Sequence, residues 1–312
     1  MTLFSSTTLR PVAHAGLCLT LLLSCLPPAA QAQSSKASQR KAAASAPTPP
    51  APATSSASSS PVAAPVPGMP LFYRSLVAFD SVKHRDLGLP KEWHDYSYAR
   101  QANVIPLVVN EAVQALRHYP LVFIKDATSG AINLVALVSN GNGVNQFVDA
   151  KGQWQANTYI PAWVRRYPFL MATDDQQRTF LAFDAQAPQF AAKSPREALL
   201  DADGKPTPRL QQVITFQTDY ANAAKLTEQM AQKLFDAGVL EEARLSLQSS
   251  EGAAPTNLVG FLLINQKKLR ELPSAELEKL HAADALGLAY AQIFSMGNLR
   301  QLRLPVSATG KP

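Results

Sequence analysis

Two stretches of this 312-residue chain bring together side chains that could do chemistry. The first is His84-Arg85-Asp86, followed closely by Glu92, His94 and Asp95. A His-x-Asp spacing can supply two ligands of a facial iron triad, with a third ligand converging from elsewhere. His84, Asp86 and His94 are therefore the candidate metal ligands, set against the plainer alternative of a polar surface helix and loop. The second stretch runs from Trp154 to Phe169, where Trp154, Tyr159, Trp163, Tyr167 and Phe169 surround the adjacent Arg165 and Arg166. Binding surfaces favour aromatics and arginine because they bury large areas and can pair with carboxylate or phosphate. Aromatic faces also suit sugar rings. Trp154, Tyr159, Trp163, Arg165, Arg166 and Tyr167 are the candidates for ligand or partner contact. The competing reading makes the aromatics core residues and pairs both arginines with the domain's own carboxylates.

Other chemistries find less support. A Gly-x-Ser-x-Gly elbow, needed for a serine hydrolase of the α/β type, does not occur. Asn140-Gly141-Asn142-Gly143 has no Gly-Lys-Ser/Thr ending and reads as tight-turn sequence, not a phosphate cradle. Asp201-Ala202-Asp203-Gly204 lacks the remaining oxygen ligands of a calcium loop and also reads as a turn. No catalytic residue is assigned and no cofactor is expected.

The elements that must hold these residues begin well into the chain. Residues 1–32 have the order of a signal peptide: one cation (Arg10), an apolar run from Val12 to Leu26, Pro27-Pro28, then Ala30-Gln31-Ala32 as the small-x-small cleavage signal. The run is too short to persist as a membrane span, so no transmembrane helix is expected in the mature chain. Leu22-Leu23-Ser24-Cys25 offers a second processing route, acylation of Cys25. Both cysteines, Cys18 and Cys25, lie in this leader, so cleavage after Ala32 leaves no thiol for disulfides, zinc or nucleophilic catalysis. Residues 33–69 are Ala, Pro and Ser-rich and form the expected disordered linker. Of the 29 Lys and Arg residues, one falls in the leader and three in the linker, leaving 25 against 23 acidic residues from Pro70 onward. That near-balance gives no footprint for nucleic acid.

From Pro70 to Pro312 the texture is globular. Asp80 is placed to cap a short helix ending at Gly88. Asn110 is placed to cap another, with Val113 and Leu116 facing inward. Leu121–Ile124, Ile132–Val138 and Gln146–Val148 read as strands, and Tyr167–Ala172 with Thr179–Phe183 as a hairpin. Thr207-Pro208 opens a helix carrying Leu210, Val213, Phe216 and Tyr220. A separate helix with Leu226, Met230 and Leu234 ends at Gly238. Ala243–Gln248 and Val259–Ile264 are strands flanking a loop, and Ser274 caps a final helical region with Leu277, Leu280, Leu286, Tyr290 and Ile293 as markers. Strands and helices come in blocks, which predicts one α+β domain with a mainly antiparallel sheet and packed helices.

Several blocks across this domain resemble the SapC family of bacterial proteins. They are His84–Leu87, Val104–Leu107, Tyr119–Phe123, Asn145–Asp149, Gly152–Trp154, Tyr159–Ala162 and Arg165–Phe169, followed by Asp203-Gly204, Gly260 and Leu286–Leu299. The resemblance implies association with a bacterial surface layer and carries no catalytic residue to this chain. Family members commonly begin almost directly with the domain, whereas here a leader and linker precede it. The resulting expectation is an exported, non-catalytic envelope protein in the periplasm or at the cell surface, with a surface-layer protein, another envelope component or a glycan as partner. The alternatives are an exported metal-dependent enzyme using His84, Asp86 and His94, and a glycan or small-ligand binding accessory. Mass spectrometry of the exported product checks the leader: a chain starting at Gln33 is expected, and a diacylated Cys25 terminus would establish the second route.

Overall fold

In the computed structural model, described residues are 10–11, 68–191, 195–247 and 256–302. The leader and linker therefore lie outside the described residues, apart from Arg10–Pro11 and Gly68–Met69, as does the loop between the last two strands. The strands are β1 (Arg10–Pro11), β2 (Leu76–Ala78), β3 (Gly88–Pro90), β4 (Val104–Pro106), β5 (Leu121–Lys125), β6 (Ile132–Leu137), β7 (Phe169–Thr173), β8 (Thr179–Asp184), β9 (Arg196–Ala198), β10 (Leu240–Leu247) and β11 (Thr256–Ile264). The α-helices are α1 (Val109–Ala115), α2 (Ala162–Arg166), α3 (Pro188–Ala191), α4 (Pro208–Asp236), α5 (Gln266–Arg270), α6 (Ser274–Ala282) and α7 (Ala285–Ser295).

All strand pairings are antiparallel. Five strands form one sheet in the order β10-β11-β5-β6-β4, four form a second in the order β1-β7-β8-β2, and β3 pairs with β9. Pro106 is tolerated because β4 is an edge strand, where a missing N–H costs no ladder bond. β5 and β6 are buried almost throughout, as their unbroken apolar sequences require. β10 alternates between inward and outward residues, the period of a half-exposed strand. The chain is thus a single α+β domain, with two larger sheets in place of one.

Helix α4 joins the sheets, packing on both β6 and β7. Its Thr207 N-cap accepts a hydrogen bond from Leu210 N and Pro208 follows at the first helical position. The two helices expected here are one 29-residue helix. The intervening residues 221–225, Ala-Asn-Ala-Ala-Lys, contain no breaker, and Ala223 supplies the buried position between Tyr220 and Thr227. Gly238 ends the helix with φ +71°. Val239 N donates to Leu234 O and Gly238 N to Phe235 O, the paired bonds of a Schellman motif.

Other expectations need correction. Residues 81–86 form successive turns, not a helix; Asp80 Oδ1 still accepts from Val82 N and Lys83 N. Gly88 starts β3 instead of closing a helix. α1 starts before Asn110 because the Glu111 carboxylate accepts from Val108 N at 3.0 Å. That bond turns Glu111, Ala112 and Ala115 inward, leaving Val113 67% exposed and Leu116 partly buried. Gln146–Val148 is a loop organised by Asn145, whose amide donates to Ala99 O and accepts from Phe147 N. Pro273, not Ser274, occupies the cap position of α6. In α7 the buried face is Ala285, Leu288, Ala289, Gln292 and Ser295, while Tyr290 is exposed. Gln292 explains that rotation: its amide accepts from Ile264 N and donates to Leu121 O, bridging β11 and β5.

Asp184, at the end of β8, ties the four-stranded sheet to the chain entering it. Fully buried, it accepts from Arg74 N (2.9 Å), Ser75 N (3.0 Å), Gln186 N (3.0 Å) and the Tyr167 hydroxyl (3.0 Å). Asp184→Ala would leave the buried Tyr167 hydroxyl and three partly buried backbone N–H groups without this acceptor. A loss of about 3 kcal/mol or more is expected in urea unfolding, against a fraction of that for exposed Asp86→Ala.

Candidate functional site

The segment from Tyr159 to Phe169 is fixed from several directions. Pro161 O accepts from Val164 N and Arg165 N to start α2. Successive helical residues point about 100° apart. Trp163 and Arg166, three apart, therefore share the inner face, while Arg165 points outward. Arg166 is only 3% exposed, with its guanidinium 5.0 Å from the Trp163 ring and 4.3 Å from that of Tyr220. Arg166 Nε donates to Gln217 Oε1 at 2.9 Å, and Gln217 Nε2 donates back to Arg166 O at 3.0 Å. Arg165 donates to Ile160 O and to the Tyr159 hydroxyl, both at 3.0 Å, and lies over the rings of Tyr159 and Phe216. Among the described residues, neither arginine forms an ion pair. Direct pairing with the domain's own carboxylates, the competing reading of the sequence, is therefore absent among the described residues; Arg165 reaches Glu111 only through the Tyr159 hydroxyl. Cation–π contact and neutral acceptors hold both cations.

The nearby carboxylates are engaged elsewhere. Glu111 accepts from Val108 N, Ala162 N (2.7 Å) and the Tyr159 hydroxyl (2.9 Å). Burial pushes its carboxyl above the ordinary glutamate value, opposed by the hydrogen bonds from Ala162, Val108 and Tyr159 and by Arg165. Burial, followed by the Glu111 charge, pushes the Tyr159 phenol up to about 12. It is therefore protonated at neutral pH, donating to Glu111 while accepting from Arg165. At the other end of the segment, burial and then Asp184 raise the Tyr167 phenol well above the tyrosine range, and its hydroxyl donates to Asp184. Tyr98 stacks on Tyr167 at 4.3 Å and donates to Val164 O. The Tyr167–Pro168 bond is cis.

Of the candidate aromatics, Trp154, Trp163 and Tyr167 are core residues and Tyr159 is half-buried. Trp154 Nε1 donates to the Tyr119 hydroxyl, which in turn donates to Tyr159 O. Arg165, Arg166 and Tyr167 do line a common cleft of about 340 Å³, which Trp154, Tyr159 and Trp163 do not reach. Its remaining wall comes from distant elements: Trp93, Tyr96 and Tyr98 from the loop after β3, Gln189 from α3, and Arg209, Gln212 and Phe216 from α4. Sequence reasoning missed this second set. Tyr96-x-Tyr98 and an arginine in the first turn of α4 were the available signals, but nothing local connects them.

The Trp93–Tyr98 loop depends on a close approach. Tyr96 N donates to Gly152 O at 2.7 Å, and Gly152 has φ +78°. A Cβ there would sit 2.2 Å from Asp95 Oδ1, so glycine is required for both conformation and space. The metal candidates are not brought together. His84 Nδ1 accepts from Asp80 N and its ring packs 4.9 Å from Phe183, Asp86 is exposed, and His94 lies 3.5 Å from Glu92. Among the described residues, no group of three His, Cys, Asp or Glu side chains could hold a metal ion. None of the helices described is long and apolar enough to cross a membrane.

Glu111→Gln would turn an amide N–H₂ toward Ala162 N and Tyr159. A loss of about 1–3 kcal/mol in chemical unfolding is expected. Because the folded carboxyl is raised, its contribution is fully present below the ordinary glutamate value and is lost as pH climbs through the folded value. The gap between wild type and variant should therefore narrow as pH rises through that window.

Comparison with known proteins gives one match. No curated protein and no solved structure matches the chain significantly. The SapC family model matches residues 79–302, a span that holds the whole cleft and most of the folded domain, and the chain therefore belongs to the SapC family.

Proposed function

We propose that this SapC-family protein is exported and acts as a non-catalytic binding module of the cell envelope, associating with a surface layer or another envelope component. The leader at 1–32 and the linker at 33–69 support export and reach. The observation that carries the binding role is the cleft. Arg165 and Arg166 are held by ring faces and neutral acceptors, so neither is directly paired with a carboxylate, Arg165 reaching Glu111 only through the Tyr159 hydroxyl. Pre-organised arginines beside aromatic surface suit an anionic partner better than they suit the protein's own stability. Cleavage after Ala32 would remove β1 and leave β7 as an open sheet edge beside the cleft segment.

Fractionation tests the reading. The wild-type chain, expressed in a bacterium bearing the native envelope, is expected to sediment with the envelope and to be released by salt. Arg165→Ala combined with Arg166→Met should shift it to the soluble fraction. Methionine retains most of the buried volume but leaves the buried Gln217 Oε1 without its donor, so the melting temperature is expected to fall while the circular-dichroism spectrum stays that of the folded protein. Equal sedimentation of a folded double variant would sink the binding role of the cleft. Recovery of the wild type as a free soluble monomer would sink the envelope association.

A further inference from the structure

We infer that the cleft binds an acidic sugar, a hydroxylated ring bearing a carboxylate or a phosphate. The inference rests on the cleft being the functional site and goes on to name its ligand. Three observations converge on it. Charge is the first: Arg165, Arg166 and Arg209 line the cleft, and its wall contains no Asp, Glu or Lys. Arg209 is partly balanced by Glu197, 3.5 Å from its Nε. That Nε is buried and makes no hydrogen bond. A carboxylate or phosphate in the cleft would meet the charges of Arg165 and Arg166 and offer Arg209, already ion-paired with Glu197, a further acceptor.

The second observation is an acceptor without a donor. Gln189 is only 3% exposed, lines the cleft, and its Oε1 has no hydrogen-bond partner. A buried carbonyl left unpaired costs about 1–3 kcal/mol. Simple anions such as phosphate at neutral pH are chiefly acceptors, and the arginines can satisfy them. Gln189 Oε1 instead calls for a hydroxyl or N–H donor on the same ligand. Shape is the third observation: Trp93, Tyr96 and Phe216 present ring surface to a cavity of about 340 Å³. That volume falls at the low end of the ~300–1,000 Å³ typical of small-molecule sites. It suits one or two sugar rings and is too small for a folded partner element. Anion, donor and ring face together describe a uronate or a sugar phosphate.

Isothermal titration of the full-length chain with glucuronate, glucose 6-phosphate, glucose and inorganic phosphate tests this and separates the two sources of charge. At least one acidic sugar is expected to bind about tenfold or more tightly than both glucose and phosphate. Whichever of glucuronate and glucose 6-phosphate binds better identifies the anion. Gln189→Leu should reduce the preference for the acidic sugar over phosphate while leaving phosphate affinity unchanged. Gln189→Glu retains the shape and the acceptor, and should weaken the acidic sugars at neutral pH more than it weakens glucose. No binding by either acidic sugar, or equal binding of phosphate and acidic sugar, would overturn the inference. If the double arginine variant loses envelope association while neither acidic sugar binds, the envelope reading stands and this inference fails. The reverse pattern would leave the ligand class standing and remove the envelope role.

Discussion

The site depends on how two buried carboxylates are used. Glu111 and Asp184 bracket the segment from Tyr159 to Tyr167, and each accepts backbone N–H groups together with a tyrosine hydroxyl. A buried carboxylate must find several donors to be tolerated, and each finds them in the backbone at the ends of secondary elements. Arg165 and Arg166 lie between these anchors but contact neither. Their charges are supported by Trp163, Tyr220, Tyr159 and Phe216 and by neutral oxygens. Anchoring of the backbone and arginine charge without a direct carboxylate partner thus come from the same arrangement.

The fold places that segment where it can be read from outside. α4 spans both larger sheets, and its N-terminal half contributes Arg209, Phe216 and Gln217 to the cleft while its C-terminal half buries Met230, Ala231 and Leu234. Buried polar side chains also join the helices to the strands and to one another. Gln292 and Ser295 of α7 satisfy backbone groups of Leu121 and Ile264, and Thr227 of α4 accepts from Val109 N. Each bond fixes a helix rotation that apolar periodicity alone would leave open.

That distinction explains what the sequence revealed. Continuous apolar runs such as Leu121–Ile124 and Val259–Ile264, the Thr207-Pro208 start and the Gly238 stop were legible because each is a local signal. Helix rotation was not. At α1 a glutamate turned inward by its bonds to Val108 and Ala162 overrides the apolar cue of Val113, and at α7 Gln292 does the same against Tyr290. The site was half legible. The aromatic and arginine block was visible, and four of its members, Arg165, Arg166, Tyr167 and Phe169, reach the cleft. Its opposite wall, Tyr96, Gln189 and Arg209, is assembled by tertiary packing and leaves no spacing to read. The His84, Asp86 and His94 set shows the converse: proximity in sequence produced no convergence in space.

The central claim is that Arg165 and Arg166 in the cleft carry charge with no direct carboxylate partner among the described residues. NMR of the guanidinium Nε–Hε groups in the full chain, titrated with glucuronate and with glucose 6-phosphate, tests it directly. Arg178 serves as the internal control because it is paired with Asp174 at 2.7 Å. The account predicts that at least one of the two acidic sugars gives saturable shifts at Arg165 and Arg166 with Arg178 unmoved. Shifts of equal size at all three, or at none with either sugar, would contradict it.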